Sequence, residues 1–201
     1  MGLFDWFKPE PSNARLLDDV IWLTKKAKAN GVLKAIQERV AEQNGPVAIL
    51  LVAHFQDCLL ELRGLEESTE NSRIVAVLAS QLDAIDVSFR SLRETNRIDF
   101  IVGERHPLRS HDELVVKFAG KLPCRCEIVH HLSLEDALMR TFAGEWVQTI
   151  LKRLGMSENE AIASHMVASR LKKAQHKIEK QAIGDAAARS AEEWFEKNCP
   201  S

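Results

Sequence analysis

The run VAILLV, Val47–Val52, has no polar residue in it. A strand with one wet face alternates polar and apolar side chains, whereas an unbroken β-rich run needs cover on both faces. Two more stretches read as buried strands, IVAVLAS (Ile74–Ser80) and IDFIV (Ile98–Val102), and CRCEIVHHLS (Cys124–Ser133) reads as a fourth strand. A shorter one, DDVIWLT (Asp18–Thr24), has its apolar residues at Val20–Leu23. Segments with helical spacing lie between them. Lys25–Gln43 places Val32, Ile36 and Val40 a turn apart beside Leu33, and QNGP (Gln43–Pro46) stops it. Phe55–Leu65 predicts a second helix, closed by the polar EESTENS. A third is expected to be capped by Ser110 or Asp112 and to run to Leu122, where Pro123 ends it. Leu82–Thr95 fits either a helix or a long loop. Strands alternating with helices imply βαβ units, hence a three-layer α/β fold around a parallel sheet of four or five strands.

After Ser133 the pattern is helical only. Leu134, Leu138, Phe142, Trp146, Ile150 and Leu154 recur at a spacing of four, and Gly155 ends that helix. Val167, Leu171, Ala174, Ile178 and Ala182 form the stripe of a second helix. Asp185–Lys197 forms a last segment with Ala187, Ala191, Trp194 and Phe195 on one side. The expected organisation is an apolar tail (1–17), an α/β domain (18–133) and a helical extension (134–201). A chain of 201 residues buries about 70% of its unfolded surface, so the core needs neither metal nor disulfide.

Lys and Arg number 27 against 29 Asp and Glu, which gives no concentrated positive charge for nucleic acid. No signal peptide is expected, and the sequence has no run of about 18 apolar residues. The four cysteines are therefore expected as reduced thiols in a cytoplasm. The first residues, MGLFDWFKPEP, expose Leu3, Phe4, Trp6 and Phe7 to three fates. They touch a membrane surface weakly, enter a partner's groove, or dock on their own domain. Myristoylation is excluded, since position 6 is Trp and not Ser or Thr.

Cys124-x-Cys126 with His130 and His131 offers metal-ligand types. Strand alternation, however, sends both cysteines to one face and splits the histidines, so four ligands do not converge and no metal is expected. A Cys–His nucleophile would need an orienting third group, and none is visible. Glu135 and Asp136 sit at a helix N-terminus, where capping explains the pair better than acid–base work. His54 lies just past a strand's carboxyl end, where α/β sheets place ligands, and Asp57, Ser80 and Glu104 are expected to share that rim.

From Ser133 onward, SLEDALMRTFAGEWVQTILKRLGM followed by EAIASHMVASRLKKAQHKIEKQAIGD resembles SecA, the motor ATPase of bacterial protein export. The likeness is to the junction between its second nucleotide-binding domain and its helical scaffold. GERH (Gly103–His106), with Arg109, Asp112 and Gly120, keeps that domain's spacing, and the resemblance extends weakly back to Asp18. It implies a RecA/helicase-like fold, an export context and a site facing a nucleotide. The departures matter as much. No G-x-x-x-x-G-K-[ST] loop and no magnesium-binding carboxylate pair are found. The family's two arginine-finger positions fall on Phe118 and Lys121, while Arg105, His106 and Arg109 are retained. Phe carries no charge, and Lys lacks the planar fork that spreads over transferring oxygens. The expectation is a non-catalytic, cofactor-free binding or regulatory module. The alternatives are an ATPase half completed in trans by a partner's first motor domain, or a kept fold with an unrelated ligand at the His54 rim. The extension's apolar face either folds back, self-associates or meets export machinery, with Trp194 and Phe195 as the foremost contact residues.

Overall fold

The computed structural model describes residues 13–85, 91–141, 160–163 and 165–199. The chain opens with β1 (Ala14–Leu16), β2 (Val20–Trp22), α1 (Lys25–Ala41), β3 (Ala48–Ala53), α2 (Gln56–Thr69) and β4 (Ile74–Leu78). A tight turn then leads to α3 (Leu82–Ile85), β5 (Arg97–Val102), α4 (Arg109–Lys121) and β6 (Arg125–Ser133). β7 (Ile162–Ala163), α5 (His165–Gln181) and α6 (Ala191–Asn198) follow. The tail residues Leu3, Phe4, Trp6 and Phe7 and the stripe from Phe142 to Leu154 lie outside the described residues.

The sheet runs β4-β3-β5-β6-β2-β7, parallel throughout except for β7, with β1 also paired to β6. The five apolar runs supply β2 to β6. β1 and β7 are additions of three and two residues, too short for any periodicity to announce. β1 and β2 are successive pieces of one interrupted strand along β6. Leu16 faces Ile128 and Val20 faces His131, so four steps on one side oppose three on the other. Such a surplus residue re-aims side chains. Here Asp19, inside the break, is buried.

Strand alternation divides the core. Ile49, Leu51 and Ala53 pack with Val32 and Ile36 of α1 and Leu59 and Leu62 of α2. Leu50 and Val52 pack on the other side with Phe100, Val102, Val115 and Phe118. Thr24 caps α1, its Oγ1 accepting from Ala27 N at 3.1 Å. Gly31 lets α1 approach the sheet, since a Cβ there would meet the Trp22 ring at 2.0 Å.

Some local expectations are corrected. Neither Ser110 nor Asp112 caps α4, whose N-cap position is Leu108 without a side-chain bond, because Asp112 is bonded elsewhere. Glu135 and Asp136 do act at helix ends, in two ways. Glu135 accepts from Lys25 N at 2.8 Å, capping α1 across the structure, and Asp136 accepts from Ser133 N at 2.7 Å.

The extension folds back. Leu171, Ile178, Ala191 and Trp194 share one apolar cluster with Ile21, Phe55, Leu132 and Leu134, over the carboxyl ends of the strands. Trp194 is therefore no surface residue: it is 1% exposed, and its indole donates to Asp185 at 2.8 Å. The stripe identified its apolar face correctly but not what covers it. Phe195 is half-buried. No helix among the described residues is long and apolar enough to cross a membrane.

Candidate functional site

β3 leads outward to α2 and β4, while its neighbour β5 leads the opposite way to α4 and β6. The crevice at the carboxyl ends of β3 and β5 is where open α/β sheets bind ligands. Glu104, just past β5, reaches across it. Its Oε1 accepts from His54 N at 3.0 Å and Phe55 N at 2.9 Å, serving the N-terminus of α2, which has no side-chain cap of its own. Burial raises the Glu104 carboxyl to about 7, with the charges of His54 and Lys28 acting against it. Lys28 is also buried, and its Nζ donates to Gly103 O and to Asp136, each at 2.9 Å.

Arg105 lies deeper. Its guanidinium donates to Asp19 at 2.6 Å and to Asp112 at 3.2 Å. Asp112 also accepts from His106 N at 3.0 Å and Gln175 at 2.7 Å, and lies 3.0 Å from His54 Nε2. Burial alone would raise the Asp112 carboxyl, but His54 and then Arg105 hold it well below the usual range. Gln175 donates further to His106 O at 2.8 Å, tying α5 to the strand end. His130 completes the interior, buried and held neutral first by desolvation and then by the Arg105 charge.

Over this network sits a stack of rings. His106 lies 3.9 Å from His111 and 5.0 Å from Phe55, with Trp194 edge-on at 5.5 Å. Burial, then the charges of His111 and His54, push His106 down to about 3. His111 Nε2 meets Asp185 at 2.7 Å. His106, His111 and Asp185 bring donor atoms within 4.8 Å of one another, yet they are poorly set for a metal. The two rings are 22° from parallel, so their in-plane lone pairs run side by side. His106 Nδ1 accepts from Leu108 N at 3.0 Å, which leaves the proton on Nε2. A metal-bound imidazole instead donates through its second nitrogen.

The expected rim is partly assembled. His54 and Ser80 line a cavity of about 390 Å³ together with His106, His111 and Asp185. Glu104 lies buried beneath, holding the His54 backbone. Asp57 does not join: it is exposed, and its N–H is bonded to Arg189 O at 3.1 Å. Of the positions carried over from the resemblance, Arg105 and His106 meet in the network, while Arg109 is exposed and paired with Glu113 at 3.0 Å. Phe118 is in the core, 4% exposed, edge-on to Phe100 at 6.1 Å. Lys121 is at the far end of α4, about 18 Å from Arg109 at 1.5 Å per residue. There it lines a cavity of about 410 Å³ with Lys117, Ser80 and Asp83. Cys124 and Cys126 point into hydrocarbon, and His131 stacks on Trp22 at 6.1 Å, so these four do not converge. The sequence reading missed Asp19, Lys28, His111, Gln175 and Asp185. Gln175 alone left a trace, as a polar residue on the buried stripe between Leu171 and Ile178.

Residues 54–159 match the sequence model of the SecA P-loop domain. The protein translocase subunit SecA of Koribacter versatilis is 37% identical over 105 residues, 52% of this chain and 11% of that protein. The same subunit of Acidobacterium capsulatum is 46% identical over 83 residues, 41% of this chain and 8% of its own length. That of Pelodictyon phaeoclathratiforme is 27% identical over an alignment covering 85% of this chain and 19% of the relative. The chain thus spans less than a fifth of the length of these relatives.

Proposed function

The chain belongs to the SecA P-loop domain family, and from that membership we propose that it is a non-catalytic, cytoplasmic binding module connected with protein export, acting through a protein partner. The observation that carries this is Phe118. The resemblance puts a nucleotide-reaching guanidinium at that position, and the side chain there is packed on Phe100 inside the core. The guanidinium of Arg105 is engaged by two buried carboxylates, Asp19 and Asp112. A missing arginine of this kind lowers phosphoryl-transfer rates by about 3 to 5 orders of magnitude.

Calorimetry with ATP and magnesium tests the reading, on the chain alone and mixed with a SecA first nucleotide-binding domain. No binding heat and no phosphate release are expected. Phosphate release that disappears in Lys121→Ala would overturn the proposal.

The open cavity at Lys117 and Lys121 favours the second reading, an ATPase half completed in trans, because both amines there are accessible to an incoming phosphate. The cavity of about 390 Å³ beside His54 and Ser80 favours the third, a small ligand at the rim.

A further inference from the structure

An open groove lies away from the rim, between α5 and α6, with a volume of about 480 Å³. One stripe of α5 forms its wall. Arg170, Lys173 and Lys177 follow one another at intervals of three and four residues, as neighbours on a helix face do. The floor is apolar, from Ala174, Ile178 and Phe195. Among the described residues no acidic side chain lines it, and none of the three cations is ion-paired with another described residue. This is a local excess of positive charge on a chain whose net charge is −2.

We propose that this groove binds an acidic amphipathic helix of a protein partner. Three features select that chemistry. The cations mark one side for carboxylates at matching helical intervals. The floor rewards burial of Leu- or Phe-sized side chains between them. The groove is concave, so a flat bilayer would meet the cations without reaching Ile178 or Phe195, and a phosphate backbone would leave that floor unused. The wall's charge also repels a signal peptide, whose leading region is positive. The groove reads as a helix-in-groove surface with electrostatic selection. The inference rests on the binding-module reading only for its expectation of a protein partner.

The test uses the full chain and three fluorescent 18-residue helical peptides: a Leu/Glu peptide, its Leu/Gln counterpart and a Leu/Lys counterpart. Anisotropy should show the Leu/Glu peptide binding at least tenfold more tightly than either counterpart. K173E/K177E should abolish that preference and favour the Leu/Lys peptide. Both lysines are exposed, so the variant is expected to fold. Cys199 lines the groove, whereas Cys58, Cys124 and Cys126 are buried, so its maleimide labelling should slow when the Leu/Glu peptide is bound. Absence of binding would overturn the proposal, as would binding that ignores the charge reversal or leaves Cys199 labelling unchanged. Equal, K173E/K177E-sensitive binding to phosphatidylserine vesicles would assign the groove to lipid instead, and so would also overturn it. The nucleotide calorimetry is unaffected by any of these results, so failure here and failure of the non-catalytic reading remain distinguishable.

Discussion

The two ends of α4 bury different kinds of side chain. At its N-terminal end the charged groups remain, and are turned inward: Asp112 meets Arg105, Gln175 and His54 in a buried network. Towards its C-terminal end Phe118 has joined the hydrocarbon around Phe100. Pairing keeps the residue and converts its charge into an internal constraint. The Phe118 ring instead adds to the core. Exposed charge remains at both ends, as Arg109 and as Lys117 and Lys121, so the contrast concerns the buried positions alone.

The largest expected effect comes from replacing Phe118. Phe118→Ala should cost about 3–5 kcal/mol in urea unfolding, through lost burial and a cavity. Phe118→Arg should cost more, since it places an unpaired cation in that space. If the arginine variant is within about 1 kcal/mol of the parent, position 118 faces solvent and the contrast between the two ends collapses.

At the paired end, Asp112→Ala leaves Arg105 with one carboxylate and Gln175 with one acceptor. About 3 kcal/mol of destabilisation is expected, because the loss exposes an incompletely compensated buried charge. A loss below 1 kcal/mol would show that the network contributes little to folding.

Acid should sharpen the picture. Burial first, and neighbouring positive charge second, push His106 down to about 3 and His131 to about 4, against an ordinary 6.5. As pH falls below 6.5 the unfolded chain takes up these protons before the folded one does. Stability present above pH 6.5 is then lost toward pH 4, by about 1.4 kcal/mol per unit for each histidine. Glu104 opposes this. Burial raises it from 4.5 to about 7, so its contribution is fully present below pH 4.5 and declines as pH rises to 7. Glu104→Gln should therefore steepen the acid loss, as read from urea midpoints at pH 7, 5.5 and 4.5. Stability that increases on acidification of the Gln variant would contradict the buried neutral histidines.

Smaller effects mark the limits of the contrast. Gly31→Ala should cost about 1–3 kcal/mol, because its Cβ would overlap the packed Trp22 ring. Arg109→Ala, at an exposed ion pair, should change stability by less than about 0.5 kcal/mol.

The parts of this fold that could be read ahead of the structure are those in which one segment determines its own environment. The apolar run Val47–Val52 requires two covered faces wherever it lies, and from Ala48 onward β3 has them, Val47 alone staying exposed. The β1–β2 break could not be read, because Asp19 is buried by the register against β6 and not by its sequence neighbours. The same holds for the site. His54 and Glu104 follow strand ends and were placed by topology. His111 and Asp185 lie 74 residues apart and meet only because α5 folds back. Trp194 was misplaced for a related reason: an amphipathic stripe states what needs cover without naming the cover.

The pairing of β2 with β6 has a consequence for how the chain is made. Trp22 and His131, bonded across that edge, are separated by 109 residues. At about 5–20 residues per second, the ribosome needs roughly 5–20 seconds to deliver the partner of a strand it has already released. The earliest apolar segment of the sheet is therefore the last to be enclosed, and for that interval Val20–Trp22 is open to a chaperone or to a neighbouring nascent chain.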